Sequence, residues 1–177
     1  GEEWQLHATA RIMSQSRGLM LERVAPALPE RAPDLELNEH LAMASRLGLD
    51  YGPAFQAIDR AWIEDDGVIG QVHLTPEIEA QLALQHLHPG ILDSAFQLFL
   101  PLLAREGHDT RGMAYVPVRV GRIQWTPEAG HPSLARARLL KRAPYSFTAD
   151  FELFDAQGRA VAVVSETRFK AVRLTQS

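Results

Sequence analysis

The chain has 177 residues, which is enough for one domain with a hydrophobic core of its own. Its net charge of −4 argues against a nucleic-acid-binding protein, and the absence of cysteine excludes disulfides, thiolate catalysis and cysteine-ligated zinc. No apolar run reaches the roughly 18 residues that a membrane span requires, and no signal-peptide pattern opens the chain, so we expect a soluble, cytoplasmic protein.

The N-terminal part of the chain predicts a strand, a loop and a short helix. Residues 4–13 alternate between apolar and polar side chains, which is typical of a strand. Residues 14–33 contain several prolines and indicate an extended linker. Residues 37–47 have the pattern of an amphipathic helix, with Asn38 as its predicted cap and Gly48 as its stop.

A hairpin and a second short helix are predicted next. Strands at 57–63 and 67–74 are joined by the turn Asp65-Asp66-Gly67. Thr75 followed by proline is typical of a helix start, because threonine caps the first turn and proline is tolerated inside it.

The rest of the chain predicts one buried helix followed by strands. The helix begins near Pro89 and reaches about Leu100, where Pro101 should end or kink it because proline removes a helical hydrogen bond. The stretch 155–158 has the composition of a hairpin turn. The strands are predicted at 114–125, 133–142, 146–154 and 159–173. One helix followed by a meander of strands indicates an α+β fold.

The segment with the most chemical information is His88-Pro89-Gly90-Ile91-Leu92-Asp93-Ser94-Ala95-Phe96-Gln97. Asp93 and Gln97 lie four residues apart, so on a helix their side chains share one face and can touch. The apolar neighbours predict that this helix is buried. Burial favours a neutral carboxyl whereas the start of a helix favours a charged one, which leaves the protonation state open. Asp93 is a candidate proton donor, and the alternative is a structural residue that bonds nearby backbone.

Two motifs, in this order, resemble those in the dehydratase domains of modular polyketide synthases. The segment 88–97 is similar to their HPxLLDxxxQ motif, with Ile91 in place of the first leucine. The earlier segment 51–56, YGPAFQ, is similar to the YGPxFQ motif that precedes it in those domains. The later run 115–120, YVPVRV, is too generic to add to the likeness.

The resemblance implies a fold and a domain organisation. Such a dehydratase is a double hotdog, in which each of two similar α+β units has a long helix wrapped by an antiparallel sheet. Its first unit supplies a catalytic histidine from an HxxxGxxxxP motif, and its second unit supplies the aspartate. We therefore expect residues 1–177 to form one hotdog unit, the C-terminal half of a dehydratase domain.

The resemblance also implies a reaction. Members of the family remove water from a 3-hydroxyacyl chain held on an acyl carrier protein and leave a 2-enoyl thioester. Histidine takes the C2 proton, and the aspartic acid, here Asp93, protonates the departing hydroxyl. Gln97 is expected to orient Asp93 by a hydrogen bond, and a solvent-facing polar residue is the alternative. We expect the chain to bind no cofactor, because phosphopantetheine arrives with the carrier protein.

The motifs also supply candidate substrate-binding residues. They are Tyr51, Gly52, Pro53, Phe55, His88 and Pro89. Tyr51 is expected to line a substrate tunnel with Pro53 and Phe55, although core packing is an alternative for Phe55. His88 and Pro89 are expected mainly to shape the start of the helix, since proline is preorganised for a first turn.

The catalytic histidine has no clear counterpart in the sequence. The segment 108–117 matches HxxxGxxxxP literally, but it follows the aspartate helix and leads into a predicted strand, so His108 is interpreted as a loop residue. His86 and His88 alternate and could join Asp93 around a metal, but such pairs are usually structural and we expect no metal site. The chain is therefore expected to hold half an active site.

Three partners are predicted. The carrier protein is expected to be acidic, and a candidate docking surface consists of Arg136, Arg138, Lys141 and Arg142 with Arg119 and Arg122, a solvated sheet face being the alternative. The second partner is an N-terminal hotdog with the catalytic histidine, and the third is another copy of the chain in a homodimer. Two alternative functions remain: a relative that shifts double bonds or closes rings, and a non-catalytic half that binds carrier-linked chains.

Overall fold

A computed structural model of the protein describes residues 5–13, 23–65, 67–85, 87–105, 113–126 and 128–174. Strands within these ranges form one antiparallel sheet in the order β1-β2-β3-β6-β7-β8-β4, and β5 also pairs with β8. The strands are β1 (Leu35–Glu36), β2 (Ile58–Ile63), β3 (Gly67–Val72), β4 (Ala114–Arg119), β5 (Arg122–Trp125), β6 (Pro132–Ala143), β7 (Ser146–Asp155) and β8 (Ala160–Val172).

The helices precede the long strands in the chain. They are α1 (Leu37–Ser45), α2 (Pro76–Glu79), α3 (Pro89–Gln97) and α4 (Phe99–Arg105), with short 3-10 turns at Pro53–Phe55 and Leu82–Leu84. In the part of the chain that the structure describes, no helix has both the length and the apolar character needed to cross a membrane.

Helices α3 and α4 provide the apolar side chains around which the sheet is built. Ile91, Ala95 and Leu98 are buried in one cluster with side chains from the long strands. Small residues line the sheet beside the helix: Gly70 and Ala135 are register partners, and a Cβ at Gly70 would lie 2.7 Å from Leu98 Cδ2. The helix can therefore lie very close to the sheet. This antiparallel sheet around a buried helix confirms the predicted α+β hotdog fold.

The predicted N-terminal strand is wrong. Trp4 lies outside the described residues, and 5–13 have no regular secondary structure, with Leu6 80% and Ile12 92% exposed. Alternation stabilises a strand only when a neighbouring strand pairs with it, and none of the described strands pairs with this segment. The predicted linker is confirmed over 23–33, whereas 14–22 lie outside the described residues.

Helix α1 is confirmed, but its predicted cap is wrong. The helix begins at Leu37 with Glu36 as its cap, two residues earlier than a cap at Asn38 would allow, and the Glu36 backbone N–H donates to Glu39 Oε2 over 3.0 Å. A glutamate in the first turn thus satisfies a backbone group that has no helical partner. Gly48 follows the helix with φ of +78°, a left-handed conformation that suits glycine and ends the helix as predicted.

The hairpins and the cap of α2 follow the sequence prediction. Strands β2 and β3 pair as a hairpin, and so do β7 and β8, whose turn contains Gly158 at φ of +75°. Thr75 caps α2, and its Oγ1 accepts from the Ile78 N–H over 3.4 Å. Local sequence therefore predicts both hairpins and the cap, although Asp66 of the first turn lies outside the described residues.

Two predicted elements are each divided in the structure. The long helix is interrupted at Leu98, so Pro101 falls in the first turn of α4, where its missing N–H has no helical partner to lose. The strand predicted at 114–125 becomes β4 and β5. They are separated at Gly121, where an added Cβ would lie 2.8 Å from Glu166 Cβ, and Glu166 itself has a φ of +54°.

The buried aromatic cluster predicts the cost of removing one ring. Phe151 is fully buried, with ring centroids 4.7 Å from Phe96 and 5.4 Å from Phe99. We expect Phe151→Ala to lower the free energy of unfolding by about 3–5 kcal/mol, because it leaves a cavity in a packed core. Tyr145→Ala, at a turn residue that is 59% exposed, should change it by less than about 0.5 kcal/mol. Urea unfolding measures both, and equal losses would contradict the described packing.

Candidate active site

The start of α3 packs directly on the turn that contains the other motif. His88 caps the helix, with its Nδ1 accepting from the Gly90 N–H over 3.1 Å, and Pro89 occupies the first helical position. Gly90 touches the turn at Pro53–Phe55, and an added Cβ there would overlap the Ala54 carbonyl oxygen. Glycine is therefore required here by close contact between two backbones rather than by its φ angle.

Ser94 makes a second connection between the two motifs. Its hydroxyl donates to the Gly90 carbonyl oxygen over 2.7 Å and accepts from the Ala57 N–H over 3.1 Å. Ser94 is fully buried, so both bonds are made away from water and fix the start of β2 against α3.

Gln97 joins three elements through its side-chain amide. Nε2 donates to Asp93 Oδ2 over 2.8 Å and to the Phe55 carbonyl oxygen over 3.1 Å. Oε1 lies 3.0 Å from Nε2 of His40 on α1. Gln97 is 5% exposed, so it is not the solvent-facing residue of the alternative interpretation, and it holds Asp93 in one position.

Partial burial is the largest influence on the pKa of Asp93. Desolvation raises the pKa of this carboxyl, and the hydrogen bond from Gln97 lowers it by a smaller amount. The net direction is upward, so the carboxyl retains its proton to a higher pH than an exposed aspartate does. Burial, and secondly the charge of Asp93, also raise the pKa of Tyr51, which keeps this phenol neutral.

A small cavity with an open mouth lies beside Asp93. Its polar side chains in the described part of the chain are Tyr51, Asp93, Gln97 and Tyr115. The remaining wall is apolar and consists of Leu49, Phe96, Phe99, Leu100, Leu103, Pro117, Phe147 and Phe169. The site thus places one acid of raised pKa and neutral donors next to a surface suited to a hydrocarbon chain.

The other predicted substrate-binding residues lie outside this cavity. Gly52, Pro53 and Phe55 form the turn next to it and are exposed, Phe55 by 40%, which excludes core packing for that ring. Phe55 reaches the site only through its backbone carbonyl. His88 lines a separate cavity at the start of α3, and Pro89 is exposed there.

Sequence reasoning missed His40, Tyr115 and Pro117. Tyr115 and Pro117 belong to the run YVPVRV, whose generic composition carried too little information. The spacing of apolar residues on α1 could have placed His40 on the buried face of that helix. Its contact with Gln97, 57 positions further along, has no local signal.

No histidine of the described residues lines the Asp93 cavity. His86 and His108 lie outside the described residues, so neither the His86–His88 pair nor the HxxxGxxxxP match is placed in full. Among the residues that are described, no group of three or more histidine, aspartate or glutamate side chains is arranged to hold a metal ion.

A hotdog with an acid of raised pKa, its amide partner and an apolar cavity defines the class of protein. A family model described as "Polyketide synthase dehydratase N-terminal domain" matches residues 19–176. The chain therefore belongs to the polyketide synthase dehydratase family. Although that description names the N-terminal domain, the order of motifs predicts the C-terminal unit, and this placement stays a prediction. Naringenin synthase of Pestalotiopsis fici is 32% identical over 79% of this chain, which spans 5% of that protein's length.

Solved dehydratase domains have the same fold. The domain from the CurJ module of curacin polyketide synthase superposes with a TM-score of 0.71 at 19% identity, over 84% of this chain and 54% of that one. The dehydratase domain of PpsC from Mycobacterium tuberculosis, solved with C12:1-CoA, gives a TM-score of 0.67 at 25% identity, over 85% of this chain and 56% of that one. This chain thus spans about half the length of the solved dehydratase domains.

The contact at Gly90 gives a sharp test of the packing between the motifs. We expect Gly90→Ala to lower the free energy of unfolding by about 1–3 kcal/mol, because the new methyl group displaces the turn that contains Ala54. Gly52→Ala is the matched control, since its φ of −74° suits alanine and nothing lies within 4 Å of the added Cβ. Urea unfolding of both variants checks this, and a Gly90→Ala protein as stable as Gly52→Ala would contradict the contact.

The raised pKa of Asp93 predicts how stability changes with pH. The folded state holds this proton more tightly than the unfolded chain, so its contribution is present below the unfolded pKa and is lost as pH rises through the folded pKa. Asp93→Asn should therefore be more stable than the unsubstituted protein at neutral pH, with the difference vanishing in acid. Urea unfolding across pH measures it.

Asp155 provides the opposite control. Its burial opposes ionisation, but hydrogen bonds from the backbone of Arg159, Gly130 and Gln157 and from the Arg159 side chain lower its pKa overall. Its stabilising contribution is present above the unfolded pKa and is lost as pH falls through the folded pKa. Asp155→Asn should lose stability at neutral pH and little in acid. The same pH trend in both variants would contradict the described environment of Asp93.

Proposed function

We propose that this chain supplies the acid in the dehydration of a 3-hydroxyacyl thioester held on an acyl carrier protein. The observation that supports it is Asp93, a partly buried carboxyl of raised pKa held by Gln97 at the wall of an apolar cavity. Asp93 gives its proton to the 3-hydroxyl while a base removes a proton from C2. The C3–O bond breaks, the C2–C3 double bond forms, and water and a 2-enoyl thioester leave.

The base comes from outside the cavity that the structure describes. We propose that it is the histidine of an N-terminal hotdog unit, because no histidine of the described residues lines the site and the chain spans about half of a solved dehydratase domain. The edge formed by β4 and β5 carries exposed apolar side chains that another unit or a second copy of the chain could cover. They are Val118, Val120, Ile123 and Trp125.

The carrier protein would bring the substrate on its phosphopantetheine arm. The docking surface suggested by the basic residues of β6 is smaller than the sequence implied, because Arg136 is bound to the carboxylate of Glu152. Lys141 is exposed on the same strand and remains a candidate for contact with an acidic carrier.

The experiment is a mass-spectrometric dehydration assay with a 3-hydroxyacyl carrier protein. We expect water loss when a histidine-bearing first hotdog is supplied, and a fall of at least about 100-fold for Asp93→Asn, since general acid catalysis contributes about 10²–10⁴-fold. Asp59→Asn, on an exposed carboxylate of β2, should keep full activity.

Three outcomes would argue against the proposal. Product with a migrated double bond or a closed ring would indicate a related isomerase or cyclase on the same scaffold. Carrier binding without any turnover in the presence of the first hotdog would indicate a non-catalytic half. Water loss by this chain alone would place the base within it and would direct attention to His108.

A further inference from the structure

We propose that His40 is a positioning residue that fixes the Gln97 amide in the one orientation that leaves the Asp93 proton available to a substrate. His40 is 2% exposed on α1 and does not itself line the cavity. It reaches the site only through Gln97, with 3.0 Å between Nε2 and Oε1. The role in proton donation rests on the proposed function, whereas the orientation of the amide does not.

The partners of Gln97 require a particular orientation of its amide. The Phe55 carbonyl oxygen can only accept a hydrogen bond, and an ionised Asp93 can only accept one, so both need the NH₂ group. The amide oxygen is then directed towards α1, where it needs a donor because it is buried. His40 is that donor when Nε2 carries the proton.

This orientation determines where the acidic proton of Asp93 is placed. Because Gln97 donates to Oδ2, the proton of the neutral carboxyl occupies Oδ1, which has no bond to Gln97. In the reversed orientation the amide oxygen faces Asp93, accepts its proton in a hydrogen bond and holds it away from a substrate. The reversed amide also brings two oxygens together at Phe55. His40 therefore adds a third requirement that excludes the reversed state.

The environment of His40 keeps the imidazole neutral. Burial lowers its pKa, and the bond to Gln97 offsets this only in part. Nδ1 is buried and has no partner among the described residues, so protonation there would create a buried donor without an acceptor. The titratable side chains facing the network from other elements are Tyr51 and, across the cavity, Tyr115, whose pKa values are both raised. A neutral His40 can therefore donate from Nε2 to the amide oxygen without placing a positive charge near Asp93.

Two substitutions of His40 separate the loss of its hydrogen-bond donor from a change in side-chain volume. His40→Gln can place an amide N–H near the position of Nε2, whereas His40→Met has a similar volume and no donor. The first readout is the pH titration of the Asp93 carboxyl carbon by NMR, assigned from its absence in Asp93→Asn. We expect the Asp93 titration to move to higher pH in His40→Met and to stay in place in His40→Gln. The second readout is dehydration with the first hotdog supplied, which should fall about tenfold or more only in His40→Met.

A Gln97→Met protein is the control that tests whether the effect of His40 on Asp93 passes through the Gln97 amide. There neither His40→Gln nor His40→Met should change the Asp93 titration any further, because the connecting amide is gone. Unchanged titration in His40→Met, or an equal shift in His40→Gln, would overturn the role of His40 even if the protein dehydrates its substrate. If no dehydration occurs at all but the titration shifts as expected, the amide orientation is supported and the proposed reaction is not. Should His40→Met fail to fold, His40→Leu makes the same comparison.

Discussion

The side-chain amide of Gln97 is the constraint on which the arrangement of the site depends. It is buried, so each of its polar atoms needs a partner, and an unpaired one costs about 1–3 kcal/mol. The partners come from three places in the chain: His40 on α1, the Phe55 carbonyl in the turn, and Asp93 on α3. Satisfying one amide therefore fixes the relative positions of three elements that share no continuous secondary structure.

The close contact of α3 with the sheet provides the electrostatic part of the site. Gly70 and Ala135 leave room for Leu98, so the helix packs closely against the sheet. The polar side chains of the helix are thereby brought into apolar surroundings. The Phe96 ring, packed on Phe151, forms apolar wall next to Asp93. The resulting desolvation raises the pKa of the carboxyl, which makes it a usable acid and costs stability at neutral pH. A functional group that opposes stability in this way is expected at a site rather than in a purely structural core.

The features that the sequence predicted correctly are mostly local, and the features that it missed depend on contacts between distant segments. The hairpin turns, the Thr75 cap and the pairing of Asp93 with Gln97 depend on neighbours within about four positions, and the sequence shows them directly. Alternation over 5–13 gave a wrong strand, because pairing depends on a partner strand that the local pattern does not reveal. The division of the strand at Gly121 depends on the close approach of Glu166, which no local rule contains. The contact of His40 with Gln97 joins residues 57 positions apart, so no local rule predicts it either.

The position of His40 explains why an amide, rather than a direct bond, connects the imidazole to the acid. A histidine in direct contact with Asp93 would favour an imidazolium–carboxylate pair, and the positive charge would lower the pKa of the carboxyl. Such an aspartate would have no proton to donate near neutral pH. With Gln97 between them, His40 and Asp93 are both shifted by burial toward their neutral forms. Among the described residues the acid is thus kept apart from the imidazole, and in the proposed reaction a base carried by another unit acts on the substrate without contacting the acid.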